Sequence, residues 1–170
     1  MVVRMAARCA VGLVLAVVVL SATLLQGHRA WARDHSFLVI APLAWKQSFP
    51  ADRTDSATPL LRLAGPTADG FQAEVFVDDA PAGFVMPDRI DSLVANLGSS
   101  VRCDGPITPT LVAGAVAELT DCRMADLSFE VVLITRGTHR YVAMLSAAQS
   151  QVDGLRSDFH SILDSWAWQS

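Results

Sequence analysis

Beyond its first 32 residues the chain carries three histidines, His35, His139 and His160, and two cysteines, Cys103 and Cys122. These are the side chains best suited to general acid–base, nucleophilic or metal chemistry near neutral pH. Their spacing supports none of the three. No two histidines stand at the i, i+4 interval of a helical metal site, and there is no C-x-x-C pair. No G-x-S-x-G marks a nucleophile elbow, and neither G-x-G-x-x-G nor a P-loop offers a phosphate cradle. His139 falls in a tight turn. His160 lies beside Asp158 and Phe159 in a helical stretch, where it reads as a solvated surface residue. The carboxylate pairs Asp52/Asp55 and Asp78-Asp79 lack the closing Glu of a calcium loop and read as turn acids. The sequence thus names no catalytic, cofactor-binding or metal-binding residue, and the chain is expected not to be an enzyme and to need no cofactor.

The cysteines point elsewhere. Cys9 lies in the N-terminal apolar stretch, which leaves Cys103 and Cys122 as an even pair enclosing 18 residues. In an oxidising compartment such a pair is expected to be bonded, which stabilises by about 3 kcal/mol on the loop-entropy argument.

The address for that compartment is at the front of the chain. Arg4 and Arg8 precede the uncharged run Cys9–Leu25, and Ala30-Trp31-Ala32 follows as an A-x-A site. These are the three parts of a secretory signal in order, with cleavage expected between Ala32 and Arg33. Residues 1–32 are therefore read as a signal peptide and 33–170 as one exported domain, periplasmic or secreted. The alternative is a retained anchor, since the run reaches the lower end of the 17–25 residues or so that span a bilayer. No cysteine after the run is available for lipidation. Three of the 13 basic residues precede Arg33 and none of the 17 acidic ones does, so the remainder carries a net charge of −7. Such a domain repels phosphate backbones and anionic lipid, which disfavours nucleic acid as a partner.

The elements that must position these groups are legible from periodicity. Ser36–Ala41, Leu60–Ala64 and Phe71–Val77 read as strands, the last with a polar residue at alternate positions. Pro87 opens and Gly98 closes a helix with Ile90, Leu93, Val94 and Leu97 on one face. Ser99–Cys103 reads as a short strand; Leu111–Thr120 fits strand or helix, with Gly114 and its β-branched residues favouring strand. Leu127–Thr135, a turn at Arg136–Arg140 and Tyr141–Ser146 form a hairpin. From Gln149 to Trp166 a helix follows, with Val152, Leu155, Phe159, Ile162, Leu163 and Trp166 in one apolar stripe. Paired strands with a helix between and a helix at the end predict an α+β fold with a mostly antiparallel sheet. Trp45, just after Pro42, reads as a core anchor.

Four stretches together resemble the Mog1/PsbP-like family, including its bacterial envelope members related to the DcrB lipoproteins. They are Pro42-Leu-Ala-Trp45, the strand Phe71–Val77, the hairpin Glu130–Leu145 and the closing Asp158-Phe-His-Ser-Ile-Leu-Asp-Ser-Trp166. The likeness spans Leu38 to Trp168. It implies an α/β/α sandwich and a role in binding or assembling other proteins rather than catalysis. Some cytoplasmic relatives chaperone apolar segments of secretion effectors, and the export signal here departs from that role. The missing lipidated cysteine departs from the lipoprotein members, and no binding residue carries over position by position. The leading expectation is an exported accessory or interaction module of a bacterial envelope with a protein partner. The others are a carrier of a small hydrophobic ligand in a pocket lined by Trp45, Phe71 or Phe159, a membrane-anchored domain, and a hydrolase without a motif, which would need His139 or His160 beside a serine or carboxylate.

Overall fold

The computed structural model describes residues 27–48, 59–79, 86–96 and 99–169. Arg4, Arg8, the run Cys9–Leu25, Asp52, Asp55, Leu97 and Gly98 lie outside them. Seven strands form the main sheet in the order β3-β4-β5-β9-β8-β7-β6, and three form a small sheet, β1-β2-β10. The strands are β1 (Gly27–Trp31), β2 (Phe37–Pro42), β3 (Lys46–Gln47), β4 (Leu61–Ala68), β5 (Phe71–Asp79), β6 (Thr108–Val112), β7 (Ala115–Met124), β8 (Leu127–Arg136), β9 (His139–Ala148) and β10 (Ala167–Trp168). Every described pairing is antiparallel. The two helices are α1 (Ile90–Asn96) and α2 (Val152–Asp164).

The sheet separates two apolar layers. On one face α1 contributes Ile90 and Leu93, which meet Val131, Leu133, Val142 and Met144. On the other, α2 and the small sheet cover Val132, Ile134, Ala143 and Leu145. Residues 130–134 of β8 and 141–145 of β9 are consequently buried on both faces. That is why those strands read as continuous apolar runs rather than alternating ones. The predicted α/β/α sandwich is the observed architecture, with the small sheet sharing the α2 layer. Among the described residues no helix is long and apolar enough to cross a membrane.

Turn chemistry sets the registers. Asp69 and Gly70 join β4 to β5 with φ of 52° and 79°, the left-handed pair that a two-residue hairpin loop demands. Ala113 and Gly114 do the same between β6 and β7, with φ of 48° and 79°. The stretch Leu111–Thr120, read as one strand, is therefore a hairpin. Alanine does not announce a left-handed turn, because its Cβ makes that conformation unfavourable. Ser99–Cys103 is not a strand. Arg102 and Arg123 exchange backbone hydrogen bonds of 2.9 and 2.7 Å in a single isolated bridge. That bridge lays the segment beside the far end of β7.

The expected boundary at Ala32/Arg33 falls at the end of a strand. β1 pairs with β2 from Gly27↔Pro42 to Trp31↔Leu38, and Ala30 and Ala32 are buried in the core. Gly27–Trp31 and Ala32 therefore belong to the described fold. β10 lies on the other side of β2, so the first and last described strands flank one central strand. Phe37 of β2 stacks on Trp166 with ring centroids 4.0 Å apart, and Trp168 sits 5.2 Å from Tyr141 under the guanidinium of Arg136.

Candidate functional site

Of the three histidines only His160 meets another ionisable group that is buried. α2 presents its apolar stripe to the sheet and carries Arg156 and His160 along one edge of that stripe, four residues apart. Beneath them β8 places Glu130, whose side chain is 1% exposed. His160 Nε2 lies 2.5 Å from Glu130 Oε1. Glu130 Oε2 has no hydrogen bond, and Arg156 Nε stands 3.6 Å away, close enough for an ion pair but too far to share a proton. Arg156 also grips Asp121 of β7 through two bonds of 2.8 and 3.3 Å, and reaches Asp153 at 3.4 Å. A buried carboxylate needs partners that compensate its lost hydration. Here one helix supplies both, the Arg156 guanidinium and the His160 imidazole.

A cleft of about 290 Å³ opens beside this cluster. Arg102 and Asp104 come from the bridged segment, Asp121 and Arg123 from β7, Phe129 from β8 and Arg156 from α2. Arg123 pairs with Asp104, so Arg102 is the lining guanidinium without an ion pair among the described residues. Cys103 and Cys122 are joined as a disulfide, which holds the bridged segment on β7 at the cleft wall.

His160 thus stands beside a carboxylate, the juxtaposition a hydrolase would need, but neither His160 nor Glu130 lines the cleft. Among the described residues no hydroxyl or thiol is hydrogen-bonded to His160, so its imidazole has a carboxylate partner but no nucleophile to activate. His35 is exposed in the turn after β1, at a φ of 60°, and His139 is an exposed first residue of β9. The three histidines are not brought together. No group of three or more metal-ligating side chains occurs among the described residues. Asp78 and Asp79 end β5; burial raises the Asp78 carboxyl above its ordinary range, against the Asp79 N–H that it accepts at 3.0 Å.

Sequence reasoning passed over Glu130, Arg156 and Asp121. The available signal was Glu130 itself, one acid inside the apolar run Phe129-Glu-Val-Val-Leu-Ile134. An acid there must find cations on whatever element covers it.

Two of the three aromatics named for a ligand pocket are structural. Trp45 and Phe159 are fully buried, and Trp45 Nε1 donates to Asp158 Oδ2 at 2.8 Å. Phe71 is exposed and lines an open hollow with Asp69, Asp126, Ala148 and Gln149. At the other margin of the sheet, Leu111 of β6 and Val116 of β7 are direct cross-strand partners, each 66% exposed. Among the described strands β6 pairs on one side only.

No family model matches the chain, and no curated protein matches it. Solved structures do. A solution structure of cyanobacterial PsbP (CyanoP) from Synechocystis sp. PCC 6803 aligns with a TM-score of 0.57 at 10% identity, over 85% of this chain and 94% of that one. A protein of unknown function from Pseudomonas aeruginosa, PA94, described as a putative regulator, aligns with a TM-score of 0.52 at 15% identity, over 85% and 99%. LpqN of Mycobacterium tuberculosis, described as involved in cell envelope biogenesis, aligns with a TM-score of 0.50 at 11% identity, over 85% and 86%. At such identities the likeness speaks for the backbone and not for the chemistry. A mostly antiparallel sheet between two helical layers, matched over most of its length to these structures, has the PsbP/Mog1-like α+β fold.

Proposed function

We propose that the chain is a non-catalytic accessory module of a bacterial envelope, placed outside the cytoplasm, that works by binding another protein. The observation that carries this reading is the Leu111–Val116 pair. Two large apolar side chains stand opposite each other on an edge hairpin, and both remain mostly in water. An apolar cross-strand pair of that kind gains free energy only when something covers it. Pro109 in β6 removes one backbone donor from the edge strand, so side-chain contact rather than strand addition is the favoured mode. The envelope assignment draws on the disulfide, on the signal-like N-terminus and on the described role of LpqN. The carrier reading is disfavoured, because Trp45 and Phe159 fill the core instead of lining a cavity.

The test is site-specific photo-crosslinking in the native host with a benzophenone side chain at position 111, against a control at the exposed Gln72. A discrete protein adduct is expected at 111 and absent at 72, and Val116→Asp should abolish it while leaving the thermal midpoint unchanged. Equal labelling at the two positions refutes the proposal.

A further inference from the structure

The A-x-A motif that resembles a processing site is part of the folded core. Its two small residues, Ala30 and Ala32, are buried; Ala30 and Trp31 lie in β1, paired to β2, and the Ala32 N–H donates to the Phe37 carbonyl at 3.0 Å. Trp31 adds a two-way bond to Gln47: its N–H donates to Oε1 at 3.3 Å, and its carbonyl accepts from Nε2 at 2.8 Å. Gly27 is packed so closely that a Cβ there would come within 2.5 Å of Ile40 and 2.7 Å of the Ala41 carbonyl. Cleavage before Arg33 would remove β1 entirely and leave β2 with only the two-residue β10 beside it. Between Leu25, the last residue of the apolar run, and Gly27 there is one residue, Gln26. Between Gln26 and Ala32 no other pair of small residues stands at the required −3 and −1 positions.

We propose that Cys9–Leu25 is retained as a membrane anchor and that the domain rests on the bilayer surface by the Gly27/Pro42 end of the β1–β2 hairpin. The run has 17 residues, at the short end of what spans a bilayer. With a single residue as linker, that end of the small sheet is held at the headgroup level. The side chains there suit it. Leu43, the residue after Pro42, is 62% exposed, and Ile40 on the same strand is also exposed. Arg29, opposite Ile40, and Lys46 are exposed cations close by in a domain whose overall charge is negative. Apolar side chains flanked by cations match an anionic lipid surface. The partner-binding hairpin proposed above is a separate surface, so either proposal can fail without the other.

The test uses the full chain expressed in an exporting bacterial host. Intact mass is measured on membranes washed with alkaline carbonate. The expected result is a carbonate-resistant chain whose mass includes Cys9–Leu25. A product beginning at Arg33, or any product lacking part of Cys9–Leu25, overturns the anchor. For the docking face, Leu43→Cys and Leu111→Cys are each made in a Cys9→Ser background and labelled with an environment-sensitive nitrobenzoxadiazole. Both are reconstituted in phosphatidylglycerol–phosphatidylethanolamine vesicles. The Leu43→Cys label is expected to emit to the blue of the Leu111→Cys label, and more weakly so when phosphatidylcholine replaces the anionic lipid. Identical aqueous emission from both labels overturns the docking face.

Discussion

Adding one methyl group at Gly65 should unseat the largest side chain in the core. Gly65 lies in β4 where its register to β5 shifts between Ala64 and Thr67, and the indole of Trp45 lies flat against it. An ideal Cβ at position 65 would meet Trp45 Cζ3 at 2.7 Å and Cε3 and Cη2 at 2.9 Å. All three atoms belong to the six-membered ring of the indole, which is fully buried and fixed by the Nε1 bond to Asp158. The ring cannot swing away without breaking that bond. Overpacking of this kind costs about 1–3 kcal/mol. Gly→Ala also stiffens the unfolded chain, which returns about 0.4–1 kcal/mol. Gly65→Ala should therefore lose about 1–2 kcal/mol net. Trp45→Phe removes the atoms that collide, so in that background Gly65→Ala should be neutral or mildly stabilising. The double-mutant coupling is then about 1–3 kcal/mol. Urea unfolding followed by far-UV circular dichroism measures it, because a loss of 2 kcal/mol moves the midpoint by about 1 M at an m-value near 2 kcal/mol/M. Equal costs in the two backgrounds, within about 0.5 kcal/mol, would refute the argument that Trp45 excludes a side chain at 65.

Three further outcomes follow from the structure. Burial raises the Asp78 carboxyl, so the folded chain keeps a proton that the unfolded chain releases, and stability falls as pH rises from the ordinary value of 3.8 through the raised one. Asp78→Asn keeps the acceptor for the Asp79 N–H and should melt higher than the parent at pH 7 but not below pH 3.8; a constant difference across that range contradicts the assignment. His160→Ala strands Glu130 Oε1 and should destabilise by about 1–3 kcal/mol, whereas adding Glu130→Leu should restore the loss, and a double variant weaker than His160→Ala alone counts against a buried charge there. Replacing both Cys103 and Cys122 by serine should lower stability by about 3 kcal/mol, with native-state thiol labelling of the parent expected to find neither cysteine reactive.

Much of the architecture was readable because it follows from local rules. The alternation in Phe71–Val77 and the 3–4 spacing on α2 each report a face that must be covered. The Asp-Gly pair at 69–70 declares its turn, since both residues tolerate positive φ. Ala113-Gly114 has the same geometry without the same declaration, so a hairpin read as one strand. β1 was hidden for a different reason. His28-Arg-Ala-Trp-Ala32 follows an apolar run and contains an A-x-A motif, and nothing local separates a disposable leader from a strand that β2 needs. The charge cluster was illegible in part because Glu130, Arg156 and His160 come from distant segments, united only when α2 docks. Glu130 alone carried a signal, an acid where every neighbour is apolar.

The small sheet has a consequence for when this protein becomes itself. Its central strand, β2, is completed on one side by the beginning of the described chain and on the other by its end, Ala167–Trp168. Phe37 waits for Trp166 as its stacking partner, and Gln169 donates its N–H to the Ser36 carbonyl at 2.9 Å. A chain still being delivered cannot close that seam until Trp166–Trp168 arrives, more than 120 residues after β2. Nascent chains stalled before Trp166 should remain open to protease, and arrival of Trp166–Gln169 should be the event that seals them.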